Sequence, residues 1–152
     1  MSAKRFIDTN IWLYALFEPA GDEAEKHRLA ARLTLEETTT VISEQVIAEV
    51  CSNLLRRKTC AESELMGYVT SFYRRCEVIV PSLTLHQSAS DLRQRYHFSY
   101  WDSLIVAAAL QANCGVLYTE DLHHGLRIDL LEIVNPLEIV NPFHQGRIDQ
   151  PV

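Results

Sequence analysis

A chain of 152 residues, 47% of them apolar, is the size of one ordinary domain and can bury an αβ core without disulfide or metal staples. No apolar run approaches the roughly 20 residues of a membrane span, and Phe6-Ile7 after Lys4-Arg5 is too short for a signal-peptide core, so a soluble, cytoplasmic protein is expected. The net charge of −6 argues against a protein that coats nucleic acid, yet leaves room for one that acts on it, because acidic clusters that hold cations add to the negative total.

In chain order, Phe6-Ile7 reads as a short buried strand, and residues 10–17 follow in a helical pattern that Pro19-Ala20-Gly21 stops. Asp22 can N-cap a second helix carrying Ala24, Leu29, Ala30 and Leu33. Thr39 to Ile42 is β-branched and predicts a second strand closed by Ser43. Residues 44–57 place Val46, Ile47, Val50 and Leu54 at helical spacing and end in basic residues, which suits a helix C-terminus. A helix over 62–75, a strand over 78–80 ended by Pro81, and helices over 84–96 and 101–113 come next, with Gly115 where a helix ends. Residues 116–119 predict a fourth strand, and a turn region around Gly125 leads to a last strand. Strands alternating with helices of this length imply a parallel, doubly wound sheet with helices on both faces.

The last strand is ambiguous, because Leu131-Glu132-Ile133-Val134-Asn135-Pro136 is copied at once as residues 137–142. Pro136 lacks an amide proton, so the copies cannot form one continuous central strand. Six is even, so exchanging them keeps the same side chains on the same face. The first copy is expected to pair, because the second would need a longer loop, and the second is expected to form a tail or bulged loop. Cys51, Cys60, Cys76 and Cys114 lack metal-type spacing, and buried free thiols are expected.

In open parallel sheets, ligands bind beyond the carboxyl ends of the strands. Asp8 follows the first strand and Asp121 the fourth; Glu49 lies about one and a half turns into the helix after the second strand, and Asp102 opens the helix after Ser99. These carboxylates can converge at one crevice. At an effective dielectric near 20, a like-charged pair about 4 Å apart costs on the order of 4 kcal/mol. Such a cluster persists by taking up protons or divalent cations, and an oxygen-only set selects Mg²⁺ or Mn²⁺. The chemistry that fits is metal-assisted hydrolysis of a phosphodiester. Each residue also has a plain structural explanation. Asp8 can cap the first helix, Ser99 to Asp102 matches a capping-box pattern, Glu49 can be an ordinary helix-surface residue, and Thr119-Glu120-Asp121 can be a turn. Their joint placement favours a site.

Phe6-Ile7-Asp8-Thr9-Asn10, the segment 43–50 ending in Glu49-Val50, Tyr100-Trp101-Asp102-Ser103-Leu104-Ile105 and Leu117-Tyr118-Thr119-Glu120-Asp121-Leu122 together resemble the four motifs of PIN-domain proteins, in order and spacing, over about residues 5 to 143. The resemblance implies a three-layer PIN-like fold in a single domain over 1–143, followed by a C-terminal tail over 144–152. It further implies a Mg²⁺- or Mn²⁺-dependent endoribonuclease that cuts structured RNA and acts as the toxin of a VapBC-type toxin–antitoxin pair. A homodimer and a small antitoxin that blocks the site come with it. Asp8, Glu49, Asp102 and Asp121 would be the catalytic and metal-binding residues. Thr9, Asn10 and Thr119 would support the metal shell, and Ser103 would touch RNA or order Asp102. Glu120 ranks below Asp121, because adjacent residues after a strand point to opposite sides.

Two other classes compete. One is a PIN fold kept as a catalytically weak interaction module, against which all four acidic positions are filled. The other is a phosphatase of the haloacid-dehalogenase kind with Asp8 as nucleophile, which wants a second aspartate where Asn10 stands. His123-His124 reads as a surface turn and His86 and His97 as solvated or hydrogen-bonded helix residues. Trp12, Tyr14, Phe17 and Trp101 read as core or interface. Arg56-Arg57-Lys58, Arg74-Arg75 and Arg93 with Arg95 read first as solvated helix ends, with phosphate contact as the second use.

Overall fold

Arg5, Phe6 and Ile7 are all buried, as the flanks of a central strand require, and the fold is organised around them. The computed structural model describes residues 3–17, 23–57 and 60–138. In chain order these form β1 (Arg5–Ile7), α1 (Thr9–Leu16), α2 (Ala24–Leu35), β2 (Thr40–Ser43), α3 (Glu44–Arg56), α4 (Glu62–Arg75), β3 (Cys76–Ile79), α5 (Leu83–Tyr96), α6 (Tyr100–Gln111), β4 (Val116–Tyr118), β5 (Arg127–Ile128) and β6 (Leu131–Val134). The sheet order is β3-β2-β1-β4-β6-β5, parallel throughout except for β5 against β6. The chain leaves β1 toward β2 and β3, then crosses back to place β4 on the other side of β1. That reversal is a topological switch point, where a crevice opens beyond the strand ends.

Successive strand residues project to opposite faces, and the core follows that rule. Phe6 and Leu117 join a large cluster with residues of α3 to α6, whereas Ile7 and Tyr118 pack with Ile11 and Ala30 of α1 and α2. Helix α6 is buried at every position from Ser103 to Ala109, and its alanines let it pack closely on α5. Buried Arg5 fastens α2 to the sheet: its guanidinium donates to Thr40 Oγ1 (3.0 Å), Leu33 O (2.7 Å) and Glu36 O (3.1 Å). Serines cap three of the helices, Ser43 for α3, Ser82 for α5 and Ser99 for α6.

The parallel sheet with helices around it is the architecture expected from sequence, with three differences. Strand β3 begins at Cys76, directly at the end of α4, and stops before Val80, because Cys76 to Ile79 pair with Thr40 to Ser43. A two-residue antiparallel strand, β5, precedes β6; Asp129 turns the hairpin at φ 53°, a conformation that aspartate tolerates. The four cysteines are free, but only Cys114 is buried, and burial pushes its thiol up to about 12. Among the described residues, no helix is long and apolar enough to cross a membrane.

The first copy of the repeat supplies β6, pairing Glu132, Ile133 and Val134 with Val116, Leu117 and Tyr118. The second copy is not a mere appendage at its start: Leu137 is buried against Ile7, Ile11 and Ala30, with its amide held by Asn135 Oδ1 at 2.9 Å. Residues 139–142, Phe143 and the tail 144–152 lie outside the described residues, as do Asp22 and Pro19-Ala20-Gly21. Deleting residues 137–142 places Phe143 directly after Pro136, where Leu137 now stands. That deletion should leave denaturant unfolding nearly unchanged, whereas Leu137→Ala should lose about 2–5 kcal/mol. An unfolded deletion protein would show that more of the second copy belongs to the core.

Candidate functional site

Asp8 leaves β1 as the N-cap of α1 and is itself buried, with a relative exposure of 5%. Both of its oxygens are held: Oδ1 accepts from the Thr9 amide (2.7 Å) and Oδ2 from the Thr119 hydroxyl (2.8 Å). Capping and site formation are therefore one arrangement. The Thr119 oxygen also accepts from the Asp121 amide (3.1 Å) and from Asn10 Nδ2 (3.3 Å), while Asn10 Oδ1 accepts from the Glu120 amide (3.2 Å). Thr119 and Asn10 thus fix the turn after β4 against the start of α1.

Glu49 and Asp102 arrive from the other side. Glu49 follows the buried stripe of Val46, Ile47, Val50 and Leu54 on α3, on the edge of that stripe. Gln45 Nε2 donates to Glu49 Oε1 (2.7 Å) and reaches Trp101 O (3.4 Å), tying α3 to the start of α6. Asn53 Nδ2 donates to Glu49 O (2.8 Å). Ser99 Oγ accepts from the Asp102 amide (3.1 Å), so the capping pattern read from sequence is real and presents Asp102 in the first turn. Asp8, Glu49, Asp102 and Asp121 all line one pocket of about 200 Å³, together with Thr9 and Asn10.

Burial raises the Asp8 carboxyl to about 7, against the hydrogen bonds from Thr119 and Thr9, and the charges of Asp121 and Glu49 push the same way. Burial, with a smaller contribution from Asp121, also raises Asp102. The donor set is all oxygen, and the Thr9 hydroxyl beside it is buried without a hydrogen-bond partner among the described residues. These features suit a hard divalent cation. Among the described residues, no three His, Cys, Asp or Glu side chains are grouped closely enough to hold one ion as they stand. Asp8 is fixed, while Glu49 and Asp102 are half-buried and Asp121 is exposed, so the outer carboxylates have room to turn inward.

Glu120 is directed away from the pocket, with Oε2 2.7 Å from Lys26 Nζ and Oε1 3.1 Å from the Tyr14 hydroxyl. Ser103 is fully buried, donating to Tyr100 O (2.6 Å) and accepting from Arg93 Nη1 (2.8 Å). Of the two roles expected for it, these contacts fit the ordering of Asp102, because it holds the turn that carries that residue. Trp101 is no core residue; it is 62% exposed on the pocket rim. His123 is exposed, and His124 Nδ1 accepts the Asn135 amide (2.9 Å), as a surface turn would have it. Gln45 and Asn53 were not singled out from sequence; their spacing of four residues on either side of Glu49 is the signal that could have found them.

A family profile described as PIN domain matches residues 5–125. The chain belongs to the PIN-domain family. Its fold is shared with solved toxin–antitoxin structures. One is a toxin–antitoxin complex from Klebsiella pneumoniae (22% identity, 89% of this chain and 99% of that one, TM-score 0.65). Another is VapC20 of Mycobacterium tuberculosis, described as a sarcin-ricin-loop-cleaving toxin (22%, 77% and 89%, TM-score 0.58). A third is VapBC2 from Rickettsia felis bound to a DNA fragment from its promoter (23%, 86% and 96%, TM-score 0.57). No curated protein matches the sequence.

Within this PIN domain, Asp8 sets a pH dependence. Its carboxyl rises from 3.8 to about 7 on folding, so between those values the folded chain keeps a proton that the unfolded chain has released. The resulting stabilisation is fully present below the lower value and is lost as pH rises through about 7. In metal-free thermal unfolding, Asp8→Asn should gain on the unsubstituted protein as pH goes from about 4 to about 8. A difference independent of pH would show that Asp8 is not held protonated.

Proposed function

We propose that this PIN domain is a Mg²⁺- or Mn²⁺-dependent endoribonuclease, acting in the cytoplasm as the toxin of a toxin–antitoxin pair. The observation that carries this reading is the meeting of Asp8, Glu49, Asp102 and Asp121, from four distant parts of the chain, in one pocket around a buried carboxyl raised to about 7. Groups that repel in this way are relieved by a cation, and these four would hold it. When bound, the cation lowers the pKa of a water and stabilises charge on a phosphodiester.

The chain's own residues do the positioning. Thr119 and the Thr9 amide keep Asp8 in one orientation, Gln45 holds Glu49, and Ser99 places Asp102. Preset geometry of this kind lowers the reorganisation needed when charge develops. Glu120 stays with Lys26 and Tyr14 and leaves the pocket to the other four.

An antitoxin fits the surroundings. A largely apolar groove of about 730 Å³, lined by Pro81, Leu85 and Leu104 among others, runs into the acidic pocket and shares Gln45, Glu49, Asn53 and Trp101 with it. An apolar helix in the groove with an arginine in the pocket would satisfy both, since the guanidinium fork binds carboxylates bidentately. The family resemblance adds a homodimer as the working form.

Asp102→Asn keeps shape, and the backbone amide that the Ser99 cap accepts is retained. It should lower metal-dependent RNA cleavage by at least about 100-fold with little change in melting temperature. Mn²⁺ should raise the melting temperature of the unsubstituted protein by mass action, and this increase should vanish in Asp8→Asn/Asp121→Asn. An equal increase in the double variant would remove this site as the metal centre. A protein that binds its partner but cuts no RNA would leave the fold as an interaction module. Expression from the native operon should yield a complex with a small partner protein; an isolated, active chain harmless to its host would count against the toxin reading.

A further inference from the structure

An acidic protein whose pocket already holds four carboxylates must still attract a polyanion if it is to cut RNA. Six of its cations are engaged with carboxylates: Lys4 with Glu77, Arg5 with Glu36, Lys26 with Glu120, Arg28 with Glu25, Arg95 with Asp91 and Arg127 with Glu132. Arg93 is turned inward to Ser103. Arg56, like Arg32, Arg57, Arg74 and Arg75, is exposed with no carboxylate within ion-pair distance among the described residues, and it alone of these five donates to a residue of the acidic pocket, its Nη2 bonding the neutral amide oxygen Asn53 Oδ1.

Asn53 lines the acidic pocket and is bonded to the backbone of Glu49. Gln45, Glu49, Asn53 and Arg56 therefore form one polar stripe along α3, at the spacing that keeps side chains on a single helix face. The stripe begins at the carboxylates and ends at a cation. Seven residues separate Glu49 from Arg56, about 10 Å along the helix axis, which is about three stacked nucleotides of a single strand. The fold-back of Arg56 onto Asn53 shortens that reach. Beside it, the Arg57 guanidinium sits 4.4 Å from the ring centre of Phe17, again without a carboxylate partner among the described residues.

We propose that Arg56 is a substrate-binding residue that seats an RNA phosphate flanking the scissile one, with Asn53 holding its guanidinium at the pocket rim. The planar fork suits a phosphate, and the neutral Asn53 presents it without neutralising it. This rests on the nuclease reading above. A purely structural Arg56, placed to complement the C-terminal end of α3, would affect stability alone.

The test uses the full chain with Asp102→Asn to prevent cleavage and a labelled, short single-stranded RNA of mixed sequence, titrated over a series of KCl concentrations. Adding Arg56→Gln should weaken binding about tenfold at low salt and reduce the slope of log K against log salt by about 0.7. Arg56→Lys should keep the slope and recover part of the affinity, while melting temperatures stay equal. Cleavage by the unsubstituted protein is measured beside it. If that protein cuts RNA and Arg56→Gln binds with unchanged affinity and slope, the assignment of Arg56 is overturned and the nuclease reading stands. If the unsubstituted protein neither binds nor cuts RNA, both fall.

Discussion

One hydroxyl group, that of Thr119, joins the ends of two neighbouring parallel strands. It donates to the Asp8 carboxyl after β1 and accepts the Asp121 amide and the Asn10 side chain after β4. The bond spans 111 positions of sequence, and it is wholly buried. Its existence requires the β1–β4 pairing to be in register, because Ile7 must lie beside Tyr118 for the two turns to meet. Everything chemical about the pocket follows from that register: a slip of one residue would turn Thr119 to the other face of the sheet.

Around this fixed centre, the acidic side chains are sorted by what holds them. Asp8 is immobilised on both oxygens, Glu49 is tethered by Gln45, and Glu120 is drawn away by Lys26 and Tyr14. Glu120 and Asp121 are adjacent in sequence, yet only the latter faces the pocket. The alternation of side chains after a strand begins that separation, and the 2.7 Å contact with Lys26 completes it. Because burial raises the Asp8 carboxyl to about 7, its protonation near neutral pH, and with it the pocket's charge, depends on what shares the site.

Periodic and capping signals made most of this readable in the sequence. The stripe of Val46, Ile47, Val50 and Leu54 located α3, and the position of Asp8 after Phe6-Ile7 and of Asp121 after Tyr118 put both at the same edge of the sheet. What escaped was what period cannot encode. Arg127-Ile128 is too short to show alternation, and its turn, Asp129-Leu130, lacks the Asn-Gly chemistry that announces a hairpin. Cys76 continues from α4 with no turn residue between, so only the pairing with Thr40 reveals where the strand begins. Gln45 and Asn53 look like solvated amides until Glu49 is seen between them. Leu137 looks like the start of a redundant copy until the small apolar cluster under α1 is seen to lack another side chain there. Whether an aromatic such as Trp101 is covered depends on tertiary neighbours that local sequence does not name.

The central position of β1 has a consequence for biosynthesis. The strand is made first, but its partner β4 and the Thr119 hydroxyl are made late, after α1 to α6 have been translated. A nascent chain can carry Asp8, Glu49 and Asp102 together and still have no enclosed pocket, because neither Asp121 nor the bond that orients Asp8 yet exists. Long-range pairing of this kind is also the slow part of folding, since the entropy of closing the intervening chain must be met before the contact forms. A chain that has not yet docked β4 therefore lacks the Thr119 hydroxyl and Asp121 at the pocket, and the site is completed only by that long-range pairing.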